Sequence, residues 1–314
     1  MATLKELKIR LGSVSSSEKI TGAMKMISSA KVHKNEQALR RLLPFKQQIR
    51  GIMDHILSAG VEFTSPLIEE REVKSVGLVV YGSDDGLCGA YNLNIFKHLV
   101  EEIQRLRDLY GKDLRVVIYP VGRKIARPCA HIAGEGHIEV RIPEGVDSKM
   151  EGERVNDFTH SLREAFLAGE LDLVEVVYMK FHSIARQKLA VERLFPVKAD
   201  KEDPSEEEEL SGRGKNAKGK GKKSRQEQEN LLYIFEPDPN SIFNEVLPMM
   251  TLSTMQEITI ENRASEQAAR VMAMQAANDN ARKLEEELHL VYNKLRQQSI
   301  TTELLDIVGG QIQR

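Results

Sequence analysis

The two ends of this 314-residue chain read as helices too long for any compact domain of its size to hide. Over residues 1–58, Leu4, Leu7, Leu11 and Val14 recur at spacings of three and four, the pattern of a coiled-coil seam. The stripe resumes, shifted in phase, at Ile20, Met24, Ile27 and Ala30 and continues through Leu39, Leu42, Ile49, Ile52 and Ile56. That places a phase slip in the run Ser13–Ser17. Pro44 lacks a backbone donor and predicts a kink or brief interruption. A second long helix is predicted over 245–308. No proline follows Pro248, and no glycine occurs before Gly309 and Gly310, which stand where a C-cap belongs. Leu284, Leu288, Val291 and Leu295 give it a seam of its own, and between 264 and 281 the stripe thins to alanines such as Ala268, Ala273 and Ala277. A helix of 55 residues is about 80 Å long at 1.5 Å per residue. The economical arrangement pairs the two helices antiparallel, as a rod standing on a globular foot.

The segment between them, 74–240, reads as an α/β domain. The run 74–82 (KSVGLVVYG) is apolar, β-branched and closed by glycine, as a buried strand is. A glycine-bearing loop follows, then a helical pattern carried by Ile95, Leu99, Ile103 and Leu106 that stops at Gly111. Further strands are predicted at 115–121, 173–181 and 189–197, with a possible fifth at 231–235; residues 151–168 look helical and 122–134 are ambiguous. Strands alternating with helices, apolar on both faces, predict a Rossmann-like, mostly parallel sheet flanked by helices. The fold class is therefore α/β plus a long antiparallel coiled coil. Within residues 199–230, an acidic stretch with seven acids (199–210) is followed by a basic one with seven Lys and Arg (211–225), which predicts a disordered charged insertion. The opposite charges make it more a self-compensating linker than a nucleic-acid or lipid contact.

The formal net charge of −2 argues against a dedicated nucleic-acid binder, although residues 1–50 hold eleven Lys and Arg against three Glu. Two cysteines, Cys88 and Cys129, supply neither a disulfide framework nor a four-ligand zinc site, and a reducing compartment fits them best. No apolar stretch reaches the length of a membrane-spanning helix, and the N-terminus lacks the apolar core of a secretory signal.

The loop Gly82–Ala90 lies between a strand and a helix, where α/β proteins often bind ligands. It has neither the Walker spacing with its lysine nor a G-x-G-x-x-G. Asp84 and Asp85 are only two adjacent carboxylates, and no histidine beside Cys88 supplies a base. A tight turn using its glycines for backbone geometry is the better reading. The eight histidines show no metal-ligand spacing. On the rod, Met24, Met26 and Ile27 sit with Lys25 on several faces at once, which fits either a wide seam or a segment enclosed by another protein.

Three separated stretches then carry a family resemblance: KITGAMKMISSAKV (19–32), GSDDGLCGAYNLNIFK (82–97), and 270–310, which opens RVMAMQAANDN and closes on SITTELLDIVGG. Each resembles the gamma subunit of F-type ATP synthases, and together the likeness covers the chain except roughly 199–230. The resemblance implies a non-catalytic central-stalk rotor with no cofactor, metal or active site. Its coiled coil would turn inside a ring of alpha and beta subunits, and its foot would sit on the epsilon subunit and the c ring. Proton flow through that c ring would thereby be coupled to ATP synthesis at the beta subunits. It implies a peripheral place on the cytoplasmic side of the bacterial inner membrane, with membrane contact only through partner subunits. The subunit-interface residues it implies are Met24, Lys25, Met26, Asp84, Asp85, Gly86, Cys88, Gly89, Arg296 and Gln297. The family usually has a basic residue where this chain has Asp85. A free-standing coiled-coil adaptor and a hydrolase using Cys88 or Asp84 are the rival classes, and co-purification with ring subunits separates all three.

Overall fold

The computed structural model describes residues 3–58, 63–197 and 236–312. In chain order the elements are α1 (Leu4–Ser58), β1 (Ser75–Tyr81), α2 (Tyr91–Tyr110), β2 (Arg115–Val121), α3 (Arg123–His131), β3 (Ile138–Val140), α4 (Glu153–Leu167), β4 (Leu173–Ser183), β5 (Arg186–Phe195) and α5 (Pro239–Ile312). The sheet order is β3-β2-β1-β4-β5, with four parallel strands and β5 antiparallel on the edge. The expected charged insertion and the strand at 231–235 lie outside the described residues.

Alternating side chains of the central strands feed two cores, as the period of two requires. Val76, Leu78, Val80, Val116 and Ile118 pack under α2 and α3. Val79, Tyr81, Val117, Tyr119 and Val176 face α4 and the lower ends of both long helices, where Ile49, Met53 and Ile56 of α1 meet Phe243, Leu247, Met255 and Ile258 of α5. The rod therefore does not merely stand on the foot; its lower part is one covering layer of the sheet. Side chains as fully buried as Ile56 and Phe243 each contribute about 1.5–3 kcal/mol to holding that joint.

Above the foot the helices run antiparallel. The Asn278 amide donates to the Glu18 carbonyl at 2.7 Å and Arg282 pairs with the Glu18 carboxylate at 2.9 Å, while lower down Lys46 meets Glu257 at 2.6 Å. Val32 of α1 packs in one buried cluster with Ala264, Ala268 and Val271 of α5 and Phe181 of β4.

Several sequence expectations are corrected here. There is no phase slip at Ser13–Ser17. From Leu4 and Leu7 the inward face continues in strict three-four alternation through Glu18, Thr21, Lys25, Ser28, Val32, Asn35 and Leu39, none of them exposed, whereas Ile20, Ile27 and Ala30 point outward. The seam is filled by polar and small residues, so following apolar residues alone loses it. In α5 the same happens: Leu288 and Leu295 face inward, but Glu285 and Tyr292 take the places expected for Leu284 and Val291, which are exposed. Helix α1 runs through Pro44 without interruption. Pro44 sits on the exposed side, where water satisfies the carbonyl it leaves without a donor. Helix α5 starts at Pro239, not 245, and continues through Gly309 and Gly310 rather than stopping there. The ambiguous 122–134 is mostly α3, and β3, three residues long, is too short to leave a period in the sequence.

At the joint between rod and foot, Glu261 is buried on α5, faced by Glu257 of its own helix, Lys46 of α1 and Tyr178 and Lys180 of β4. Burial, reinforced by the charge of Glu257, pushes its carboxyl from 4.5 up to about 8. Between those two values the folded chain holds a proton that the unfolded chain has released, so stability falls as pH rises through that window. Glu261→Gln, a neutral isostere, is expected to flatten that decline. It should stabilise the protein by at least about 1 kcal/mol near pH 8.5 and change little near pH 5. Thermal unfolding at the two pH values checks this, and an equal shift at both would show that Glu261 stays ionised.

Candidate functional site

Strand β1 ends at Tyr81, and the chain turns at once through Gly82–Ala90 into α2. Gly82 is required sterically, since a Cβ there would lie 2.5 Å from the Cβ of Ile125. Asn92, the second residue of α2, ties the loop's two limbs: its side-chain carbonyl accepts the Ser83 amide at 3.0 Å, and its amide donates to the Ser83 hydroxyl at 2.8 Å and the Cys88 sulfur at 3.4 Å. Asp84 is buried and both its oxygens are occupied. One accepts the Arg123 amide at 2.9 Å, and the other accepts the amide and hydroxyl of Ser148 at 3.1 and 2.8 Å. Asp85 points outward and pairs with Lys149 at 2.9 Å, which chiefly accounts for its lowered carboxyl pKa. Leu87 adopts a left-handed backbone and exposes its side chain.

The loop is braced from outside by α5, whose middle is polar yet buried. Thr259 meets the Tyr81 hydroxyl at 2.8 Å. Asn262 donates to the Gly82 carbonyl at 3.1 Å and accepts from the Tyr91 hydroxyl at 2.6 Å. Arg263 donates to the carbonyls of Ser148 and Met150 and pairs with Glu151. Arg270 donates to the carbonyls of Gly86 and Asp85 at 3.2 and 3.3 Å and pairs with Glu266 at 2.7 Å, both side chains being buried. Open α/β sheets bind ligands in the crevice beyond the carboxyl ends of their strands. Here α5 bonds to the residues that follow β1 and so occupies that crevice. Among the described residues no cluster of His, Cys, Asp and Glu could hold a metal. Burial pushes the Cys129 thiol up to about 12, which leaves it protonated and a poor nucleophile.

The residues singled out from sequence fall into two belts. Met24, Lys25 and Met26 lie on α1 level with the segment of α5 that braces the loop, so they share a collar with Asp85, Gly86 and Gly89. Met26 is 75% exposed, Lys25 is half-buried in the seam and Met24 half-buried beside it. Arg296 and Gln297 are exposed on α5 roughly 40 Å further up the rod, so the structure does not bring them to the collar. Asp84 and Cys88 are buried and hold the loop from within. Counting from the Glu18–Asn278 pairing, α1 begins about level with Tyr292, so the last turns of α5 rise past it and expose Ile300, Leu304, Leu305, Ile307 and Val308.

A family model described as ATP synthase matches residues 3–312. The chain is 37% identical over 317 residues to the ATP synthase gamma chain of Bacteroides thetaiotaomicron, covering all of both chains. It is 38% identical over 312 residues to that of Phocaeicola vulgatus, covering 99% of this chain and all of the other. The chain belongs to the ATP synthase gamma chain family. Its fold matches a chain of the Euglena gracilis mitochondrial ATP synthase assembly of OSCP, F1 and c ring with a TM-score of 0.61 at 18% identity, covering 98% of this chain and 93% of that one. A chain of the Tetrahymena thermophila mitochondrial ATP synthase central stalk and c ring gives 0.51 at 20% identity, covering 82% and 99%.

Asn262, Arg263, Arg270, Tyr91 and Ser148 build the collar but escaped the sequence reading. Polar residues on a long helix normally mark its solvent face, and nothing local shows that these are buried. Cys88→Ser is expected to leave ATP hydrolysis by the assembled enzyme within about twofold of the parent, since a hydroxyl can still accept from Asn92. A steady-state hydrolysis assay checks it, and a large loss with intact assembly would reopen thiol chemistry.

Proposed function

We propose that this chain is the turning axle of a proton-driven ATP synthase, carrying torque between a c ring below its foot and the nucleotide-binding beta subunits around its rod. The observation that carries this reading is the rod itself, two antiparallel helices that outrun their own globule, with α5 reaching beyond α1 at the tip. The exposed apolar turns after Ile300 suit enclosure by a surrounding ring. Basic charge along α1 offers contacts to acidic segments of that ring. Exposed ion pairs contribute only about 0–1 kcal/mol each, so they can form and break within a turn. A large apolar patch at the collar would instead trap one orientation.

At the collar the proposed contacts are Lys25, Met26, Asp85, Gly86 and Gly89, with Met24 supporting them from the seam; at the upper belt they are Arg296 and Gln297. Arg296 is suited to bidentate carboxylate pairing. Asp85 carries negative charge at the collar, and Lys149 neutralises part of it. Alpha and beta subunits form the ring, and epsilon and the c ring bind the foot. Among the described residues no helix is long and apolar enough to cross a membrane. The chain reaches the cytoplasmic face of the bacterial inner membrane through these partners. Affinity purification through a tag on this chain is expected to recover alpha, beta and epsilon subunits in fixed ratio. Recovery of the chain alone, or of self-paired copies, would favour the adaptor reading.

A further inference from the structure

Rod and foot are joined by two helices. Where α1 meets the foot its buried contacts are apolar, through Ile49, Met53 and Ile56, and its buried ion pair, Lys46 with Glu257, goes to α5 rather than to the sheet. Helix α5 instead makes directional bonds from one face to separate pieces of the foot. Thr259 holds the end of β1, Asn262 holds Gly82 and the first residue of α2, and Arg263 holds the segment leading into α4. A hydrogen bond weakens steeply once its angle is lost, so bonds from one face of α5 to fixed points on the foot resist its rotation about its own axis.

We propose that Asn262, with Tyr91 as its partner, is the torsional key through which twist passes between the rod and the sheet. Asn262 is 1% exposed, and its amide engages two elements at once from a single side chain. Rotating α5 against the sheet by even a small angle breaks both bonds inside a site closed to water, where no solvent replaces them. Asn262 is a positioning residue here: it touches no nucleotide and acts by keeping rod and foot in angular register. The proposal rests on the rotor reading given above.

The test uses the whole enzyme, with the ring immobilised and a bead attached to the foot through Lys112→Cys, an exposed position in a chain whose own cysteines are buried. The angular spread of the bead during pauses reports the stiffness of the path from ring to foot. Asn262→Ala is expected to widen that spread about twofold or more. Tyr91→Phe, which removes the partner hydroxyl without altering α5, should widen the spread less, and Met53→Leu, in the apolar joint, should not widen it. Unchanged spread in Asn262→Ala, or equal widening in Met53→Leu, would overturn the proposal. If Asn262→Ala does not assemble, Tyr91→Phe decides alone, and an unchanged spread overturns it. A parent enzyme whose foot does not rotate at all would instead refute the rotor reading.

Discussion

A chain truncated before residue 284 is expected to support no ATP synthesis, although its foot should still fold. The truncation removes Glu285, Leu288, Tyr292 and Leu295, the α5 side of the upper seam, and leaves Leu4, Leu7, Leu11 and Val14 facing water. A single unpaired helical stretch is marginal in water, so the top of α1 loses its order. Uncovering a buried residue such as Leu7 costs about 1.5–3 kcal/mol. It also removes Arg296, Gln297 and the exposed turns proposed to be enclosed by the ring. ATP synthesis in energised vesicles, together with the yield of this chain in the purified complex, measures the effect. Wild-type synthesis from such a chain would show that the upper rod carries no load.

Arg270→Ala is expected to destabilise the protein by about 3–5 kcal/mol, because it removes one member of a buried ion pair and leaves the other behind. Glu266 is almost fully enclosed, and burial already holds its carboxyl above the usual range despite the opposing pull of Arg270. Without the guanidinium it takes up a proton, and the carbonyls of Gly86 and Asp85 lose their donor, so the collar loop loosens as well. Glu266→Gln added to Arg270→Ala should recover part of the loss, since the stranded charge is gone but the loop's donor is not restored. Thermal unfolding of the two variants beside the parent settles this. A neutral Arg270→Ala would mean that the loop is held without α5.

The parts of this fold that the sequence announces are those governed by local periodicity. Strand β1 is a run of buried apolar residues wherever it sits, and α2 shows its buried side at Ile95, Leu99 and Ile103. Both terminal helices are legible because only a rod accommodates their length. Phase was harder to read. Glu18, Thr21, Lys25 and Ser28 keep the seam in register with hydrophilic groups, while Ile20 and Ile27 display apolar ones to the outside. A rod that must be surrounded inverts the usual inside-outside sorting, and the apparent phase slip follows from that inversion. The collar was half legible. Its loop stood out as a glycine-rich turn and as a family motif, and Asp85 and Gly86 do reach the surface. That Asp84 faces inward depends on Ser148 and Arg123, dozens of residues away, and that α5 fills the ligand crevice depends on Asn262 and Thr259, nearly two hundred residues from Gly82.

Joining the two helices covalently is the most direct test of the rod as one rotating body. Gly22 and Asn278 face each other across it: a Cβ on Gly22 would stand 3.3 Å from the Asn278 amide nitrogen. With both replaced by cysteine, oxidation should form the cross-link readily, and ATP-driven rotation and ATP synthesis should continue at the rate of the reduced enzyme. A cross-link that arrests rotation would mean that the helices must slide or unwind past each other, which contradicts the account.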